Sequence, residues 1–354
     1  MEVELHGQAG AEQALAQAID RHRAPPLALE LTRRGLGPYR AYGEMLLAIR
    51  ELSHRGASLE VIGKSVKGEP IFALGVGPAE AKRTTALVSG LHPTEWIGIE
   101  THFALLDRLL ELPPTDRRVV AVVVANPDGV LRVGDNLKKG RRRFVRHNAR
   151  KVDLNRNFPS FWDRFSLARY LLWPVFAGGS GPASEPEVRA LVTLFKGKMV
   201  DRALSFHSFG GMVLYPYGAL LRAPLDVRDL RRWARAVARR ADPHRPYRAV
   251  QSSRWVPGFT APGMELDWFY DAHGALSLLV ECSRGGLGFD LDRESLRALR
   301  PGKVFEPFAW FNPPRPDRSA SHIAAAVEPF ARGEALPAPR AATAPSARAS
   351  ANPA

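Results

Sequence analysis

Four runs of strand length in this chain are apolar and end abruptly in polar residues, and this repeated boundary limits the possible folds more than any other feature. Thr85-Ala86-Leu87-Val88 leads into Ser89-Gly90-Leu91-His92-Pro93-Thr94-Glu95-Trp96. Val119-Val120-Ala121-Val122-Val123-Val124 runs through Ala125 into Asn126-Pro127-Asp128-Gly129. Arg202-Ala203-Leu204-Ser205-Phe206 stops at His207-Ser208, and Leu276-Ser277-Leu278-Leu279-Val280 at Glu281. Continuous apolar runs of this length suit strands covered on both faces. Ile99, Phe103, Leu106 and Leu110 recur at helical spacing over 97–110 and supply one such cover. Strand and helix alternate from about 60 to 330 with no linker, which predicts a single α/β domain. In an open α/β sheet the carboxyl ends of strands can converge on one crevice.

The rest of the chain fits this frame. An amphipathic helix is expected over Ala11–Ile19, ended by Pro25-Pro26, and a second over 38–52. Leu59–Gly63 and Pro70–Val76 read as a hairpin. Asn126-Pro127-Asp128-Gly129 reads as a turn. Ser184-Glu185-Pro186-Glu187 predicts a helix start with Ser184 as N-cap and Glu187 closing a capping box. A long arginine-rich helix spans about 226–240. The expected division is an N-terminal helical extension over 1–38, a catalytic domain over 39–332 and a disordered Pro/Ala-rich tail over 333–354.

Composition excludes several classes. With 45% apolar residues in 354, a full core is possible, and the single Cys282 rules out an internal disulfide framework. Met1–Gln8 has neither a basic nor an apolar leader region, so no signal peptide is expected. No run approaches the roughly 18 apolar residues of a membrane span. A cytoplasmic protein is the resulting expectation. The formal charge of +14 is concentrated in 138–151 and 222–248. Neither cluster forms a recognisable nucleic-acid-binding module, which argues against nucleic acid as a partner and leaves a general attraction for acidic ones.

The strand-end residues carry chemistry. His92 and Glu95, three apart on a tight turn, can reach one ion, and His207 would complete two histidines and a carboxylate with a fourth position open for water. That is the arrangement of a catalytic zinc site. Glu281 ends an apolar strand, a costly place for a carboxylate unless it is paired or used. Beside the ion it could take a proton from the bound water and pass it to a leaving group. Arg156 could grip a substrate carboxylate bidentately, and Arg146 could stabilise an oxyanion. Each residue also has a plain structural reading. The histidines could be hydrogen-bonded loop and strand-end residues, Glu281 could pair with Arg284, and the arginines could be surface charge.

Taken together the motifs resemble those of the zinc metallocarboxypeptidase family, of the carboxypeptidase A/B type. From Tyr39 to Phe330 the components come in the family's order. Ile62-Gly63-Lys64-Ser65 precedes His92-Pro-Thr-Glu95-Trp96, Asn126-Pro-Asp-Gly129 and Val152-Asp-Leu-Asn-Arg-Asn-Phe158. Ser184-Glu-Pro-Glu187, His207-Ser208, Leu214-Tyr-Pro-Tyr-Gly218 and Asp267-Trp268-Phe-Tyr270 before Glu281 follow. The resemblance implies a three-layer α/β domain with a mixed, mostly parallel eight-stranded sheet flanked by helices. It implies one Zn2+ ion held by His92, Glu95 and His207, Glu281 activating a water on the ion, and Arg146 stabilising the oxyanion. Asn155 and Arg156 match the pair that binds the terminal carboxylate.

Some positions depart from the family. Phe259 falls where a tyrosine commonly closes over the substrate, Thr94 where an arginine is frequent, and Gly68-Glu69-Pro70 where many relatives have Gly-Arg-Pro. Leu266 falls at the floor of the side-chain pocket, implying apolar or aromatic C-terminal residues, with neighbouring Glu265 able to serve a basic one if turned inward. The expected activity is removal of C-terminal residues from peptides with a free carboxylate. The alternatives are a related zinc amidohydrolase acting on an N-acyl amino acid or a peptidoglycan peptide amide, and an inactive basic binding protein on the same scaffold. The oligomeric state is not legible in the sequence.

Overall fold

A computed structural model of the chain describes residues 7–23, 35–256, 258–284 and 306–336. Eight strands form one sheet: β1 (Ser58–Lys64), β2 (Pro70–Val76), β3 (Arg83–Ser89), β4 (Arg117–Val122), β5 (Met199–His207), β6 (Met212–Tyr215), β7 (Arg248–Gln251) and β8 (Leu276–Glu281). Their order is β1-β2-β4-β3-β5-β8-β6-β7. The centre, β4-β3-β5-β8, is parallel. Antiparallel pairings join β1 to β2, β2 to β4 and β6 to β8, so the sheet is mixed, as expected. The predicted hairpin is β1–β2.

Alternation along the central strands divides the interior into two layers. Leu87, Val119, Ala121, Leu204, Phe206, Leu278 and Val280 point into one core. Ala86, Val88, Val120, Val122 and Ala203 point into the other. The first face is covered by α1 (Gln8–His22), α2 (Tyr42–His54), α3 (Trp96–Glu111), α4 (Pro127–Lys138), α7 (Val227–Ala241) and α10 (Pro316–Ala331), whose buried residues share that core. The second is covered by α6 (Pro186–Phe195) and α8 (Glu265–His273), through Val188, Leu191, Phe195, Trp268 and Phe269. Short helices α5 (Leu167–Leu171) and α9 (Pro307–Phe311) lie in the connections.

Helix α1 shares its core with the rest of the α/β domain. Ala11, Leu15, Ala18 and Ile19 are buried, and Arg21 and His22 both reach the Glu69 carboxylate, at 3.3 and 3.1 Å. Glu69, the residue that departs from the family's Gly-Arg-Pro, thus anchors this helix to the hairpin.

Two local expectations are corrected. Asn126-Pro127-Asp128-Gly129 begins α4: the Asn126 side chain accepts the Gly129 N–H at 3.0 Å and Pro127 sits in the first turn. The N-cap of α6 is Glu185, with no side-chain cap bond. Ser184 instead donates to Glu185 Oε1 at 3.0 Å and accepts from Asn157 Nδ2 at 3.0 Å. Glu187 receives the Val66 N–H at 3.2 Å and Asn148 Nδ2 at 3.1 Å. Tertiary donors have replaced the local box. The expected tail lies almost wholly outside the described residues. Among the described residues no helix is long and apolar enough to cross a membrane.

Candidate active site

Parallel register brings three of the four polar strand ends together. Ser89 at the end of β3 lies opposite Phe206, and His207 at the end of β5 opposite Glu281 at the end of β8. Gly90, at φ 69°, turns the chain out of β3, and a Cβ there would lie 3.1 Å from the Val123 carbonyl oxygen. The turn carries His92 and Glu95 back over the ends of β5 and β8. The fourth strand end is used structurally, since Asp128 accepts the Ser65 hydroxyl at 2.8 Å and the Lys67 N–H at 2.9 Å.

His92, Glu95 and His207 are buried, and their donor atoms lie within 4.8 Å of one another. His92 Nδ1 is 3.0 Å from Glu95 Oε1, and His207 Nδ1 is 2.9 Å from Glu95 Oε2. The two Nδ1 atoms face each other at 3.1 Å. Behind them each ring meets a carboxylate through Nε2: His92 meets Asp153 Oδ1 and His207 meets Glu265 Oε1, both at 2.9 Å. Those contacts place the ring protons on Nε2 and leave bare lone pairs at Nδ1. Two such lone pairs beside a carboxylate repel one another unless a proton or a cation lies between them. The donor set therefore fits one zinc ion, with a carboxylate behind each imidazole.

Electrostatics agree. Burial opposes charge on Glu95, but the neighbouring histidines overrule it and lower its pKa to about 2. Burial likewise opposes a charged His207, yet Glu265 and Glu95 raise it to about 10. Asp153 stays well below the usual carboxylate range, because Arg146 and His92 outweigh its burial. Glu281 behaves oppositely, raised to about 8 by burial and by the charge of Glu95. Among the described residues its Oε2 is buried with no hydrogen-bond partner. Arg284, its sequence-level candidate partner, reaches Asp242 at 3.4 Å.

The cationic residues flank the same point. Arg146 donates through Nε to Asp153 Oδ2 at 2.7 Å. Arg156 follows in the 3-10 turn Leu154–Arg156, donating to the Asn155 carbonyl at 2.6 Å. Both guanidinium groups stand over the Phe176 ring, at 5.2 and 5.1 Å from its centroid. Burial lowers the pKa of Arg156 to about 10, which leaves it cationic at neutral pH. Asn155 Oδ1 accepts the Glu265 N–H at 3.1 Å, and its Nδ2 lies 3.5 Å from His207 Nε2.

Leu266 is buried beneath this group, packed with Met212, Leu214, Met264 and Leu279. Phe259, half-buried on the loop before α8, donates its N–H to the Val256 carbonyl at 3.1 Å. Among the described residues it makes no ring contact with either histidine. Thr94 is buried and donates to the Val145 carbonyl at 2.6 Å, tying the motif loop to the segment before Arg146. Sequence reasoning assigned no role to Asp153, whose signal was its place two residues before Asn155. The sequence places Glu265 only against a substrate side chain, and the structure turns it to His207.

A three-layer α/β domain that presents two imidazoles and a carboxylate from strand ends belongs to the class of single-metal α/β proteins. More narrowly, the chain belongs to the zinc carboxypeptidase family, whose model matches residues 44–300. It is 26% identical over 237 residues to the mast cell carboxypeptidase A of Mus musculus, covering 59% of this chain and 54% of that protein. It is 27% identical over 300 residues to the inactive metallocarboxypeptidase ECM14 of Ajellomyces capsulatus, covering 71% and 48%. The chain thus spans about half the length of these relatives. The structure of bovine thrombin-activatable fibrinolysis inhibitor in complex with tick carboxypeptidase inhibitor superposes with a TM-score of 0.63. That match has 22% identity and covers 83% of this chain and 97% of that one.

Proposed function

We propose that this chain is a zinc-dependent carboxypeptidase that hydrolyses the C-terminal peptide bond of peptides. One observation carries the reading: Glu281, a buried carboxyl with an unpartnered oxygen, stands at the strand end beside His207, with Arg146 and Arg156 flanking the same point. His92, Glu95 and His207 hold the ion. Bound zinc supplies Lewis acidity to a substrate carbonyl and makes a nearby water more acidic.

The remaining work falls to side chains. Glu281 accepts a proton from the attacking water and returns it to the departing amide nitrogen, base first and acid second. Arg146, held through Nε by Asp153, keeps its Nη donors for the oxyanion. Arg156, with Asn155 beside it, binds the terminal carboxylate and so selects the last peptide bond. Phe259 can cover the bound residue and exclude water, but it has no hydroxyl to donate. Leu266 beneath the site favours an apolar or aromatic C-terminal side chain.

The test is mass spectrometry of a peptide library incubated with the zinc-loaded protein, each peptide present with a free and an amidated C-terminus. Loss of single residues from free termini only, with kcat lower by about 10²–10⁴-fold in Glu281→Gln, is expected. Cleavage indifferent to the terminus would shift the assignment to an amidohydrolase. No cleavage despite bound zinc would indicate an inactive scaffold.

A further inference from the structure

We infer that Glu265 is a positioning residue for the metal centre: its carboxylate fixes the tautomer and orientation of His207, as Asp153 does for His92. The inference rests on the reading of His207 as a zinc ligand. Glu265 is the first residue of α8 and is buried, with its carboxylate turned to Ser205 and His207. Two donors converge on its Oε1, the Ser205 hydroxyl at 2.5 Å and His207 Nε2 at 2.9 Å. Its Oε2 is buried with no partner among the described residues. An oxygen that receives the Ser205 proton can bond His207 only by accepting, so the imidazole proton lies on Nε2 and Nδ1 is bare. That Nδ1 faces Glu95 and His92.

The site is thus doubly braced, with one carboxylate arriving from the loop at Asp153 and the other from α8. The Glu265 backbone also donates to Asn155 Oδ1 at 3.1 Å, so the brace for the metal ligand and the support for the Asn155 side chain share a residue. Carboxylate partners of this kind raise ligand basicity and hold the ring in place, and losing one typically weakens metal binding about 10–100-fold. A merely structural Glu265 would serve only to tie α8 to β5 through Ser205.

The two roles separate in the zinc-loaded protein. Chelator competition gives the zinc affinity, and proton NMR follows the hydrogen-bonded imidazole N–H signals. Glu265→Gln, which replaces the charged acceptor by a neutral amide, is expected to weaken zinc about 10–100-fold and to shift the His207 Nε2–H signal away from the charge-assisted position while that of His92 stays put. Asp153→Asn should do the converse. Ser205→Ala removes the tie to β5 but not the partner of His207, and should change zinc affinity much less. Equal effects from Glu265→Gln and Ser205→Ala, or an unshifted His207 signal in Glu265→Gln, would overturn the inference. Should Glu265→Gln fail to fold, Glu265→Asp withdraws the carboxylate while keeping its charge, and wild-type affinity and signals there would overturn it equally. His207→Ala separates the levels. If it binds zinc normally, the reading of the site fails; if it loses zinc while Glu265→Gln does not, only this inference fails.

Discussion

At the scale of single residues, the site is assembled from groups that would be costly to bury alone. Both imidazoles, Glu95, Asp153 and the two guanidinium groups each meet an oppositely charged or hydrogen-bonding neighbour, as buried polar groups require, whereas Glu281 keeps a buried oxygen with no partner among the described residues. Arg156 shows how specific such a placement is. It stands over Phe176 and is anchored at the Asn155 carbonyl, so its planar fork is aimed before a substrate arrives. Lysine keeps the charge and loses both the fork and the stacking. Arg156→Lys is therefore expected to lower kcat/KM for free-carboxylate peptides by about 10–100-fold, mostly through KM, since charge-assisted hydrogen bonds contribute about 1.5–3 kcal/mol. Steady-state kinetics on free-carboxylate peptides check this, with KM rising and kcat changing little.

At the scale of elements, the ends of strands and helices do the positioning. Helix α4 begins where β4 stops, and Asn126 serves both: its Oδ1 caps the Gly129 N–H, while its Nδ2 donates to the Leu91 carbonyl at 3.2 Å, one residue before His92. Asn126→Ala should cost about 1 kcal/mol for the cap alone. A further loss is expected because the Leu91 carbonyl is left without that donor. Urea unfolding gives the total. The same four residues, Asn-Pro-Asp-Gly, are strong turn formers and strong helix starters. What decides between them is the apolar face beyond, where Val130 and Val133 enter the core. Helix α6 shows the reverse case, a valid capping pattern overridden because Asn148 and the Val66 N–H compete for Glu187.

At the scale of the whole molecule, a sheet covered on both faces buries groups that must stay neutral. His102 on α3 is fully buried against Phe206. The Ser89 hydroxyl donates to the Val123 carbonyl at 2.6 Å, so His102 Nδ1 must be the donor in its 2.8 Å contact with Ser89. Burial lowers the His102 pKa to about 3, against roughly 6.5 in an unfolded chain. Between those values the unfolded state binds the extra proton, so stability falls as the pH drops through the window. From pH 7 to pH 5 this one group is expected to remove about 2 kcal/mol. Denaturant unfolding across that range tests it, and His102→Leu should lose that share of the pH dependence.

The sequence alone determined what depends on period and on residue type. Apolar runs without alternation specified buried strands, helical spacing specified their covers, and the chemistry of His92, Glu95, His207 and Glu281 specified a metal-centred site. It also revealed the family, through motifs whose order survives low overall identity. Only the tertiary structure decided which strand ends meet, because parallel register between β3, β5 and β8 is a long-range property with no local signature. It excluded Asn126 and Asp128 from the site for the same reason. It turned Glu265 to His207 and set Asp153 behind His92, since a side chain's partner in the interior depends on which donors arrive there from distant parts of the chain. Surroundings then set each carboxyl apart: Glu95 and Glu281 are the same residue type in one buried site, yet the histidines beside Glu95 lower its pKa while burial and the charge of Glu95 raise that of Glu281.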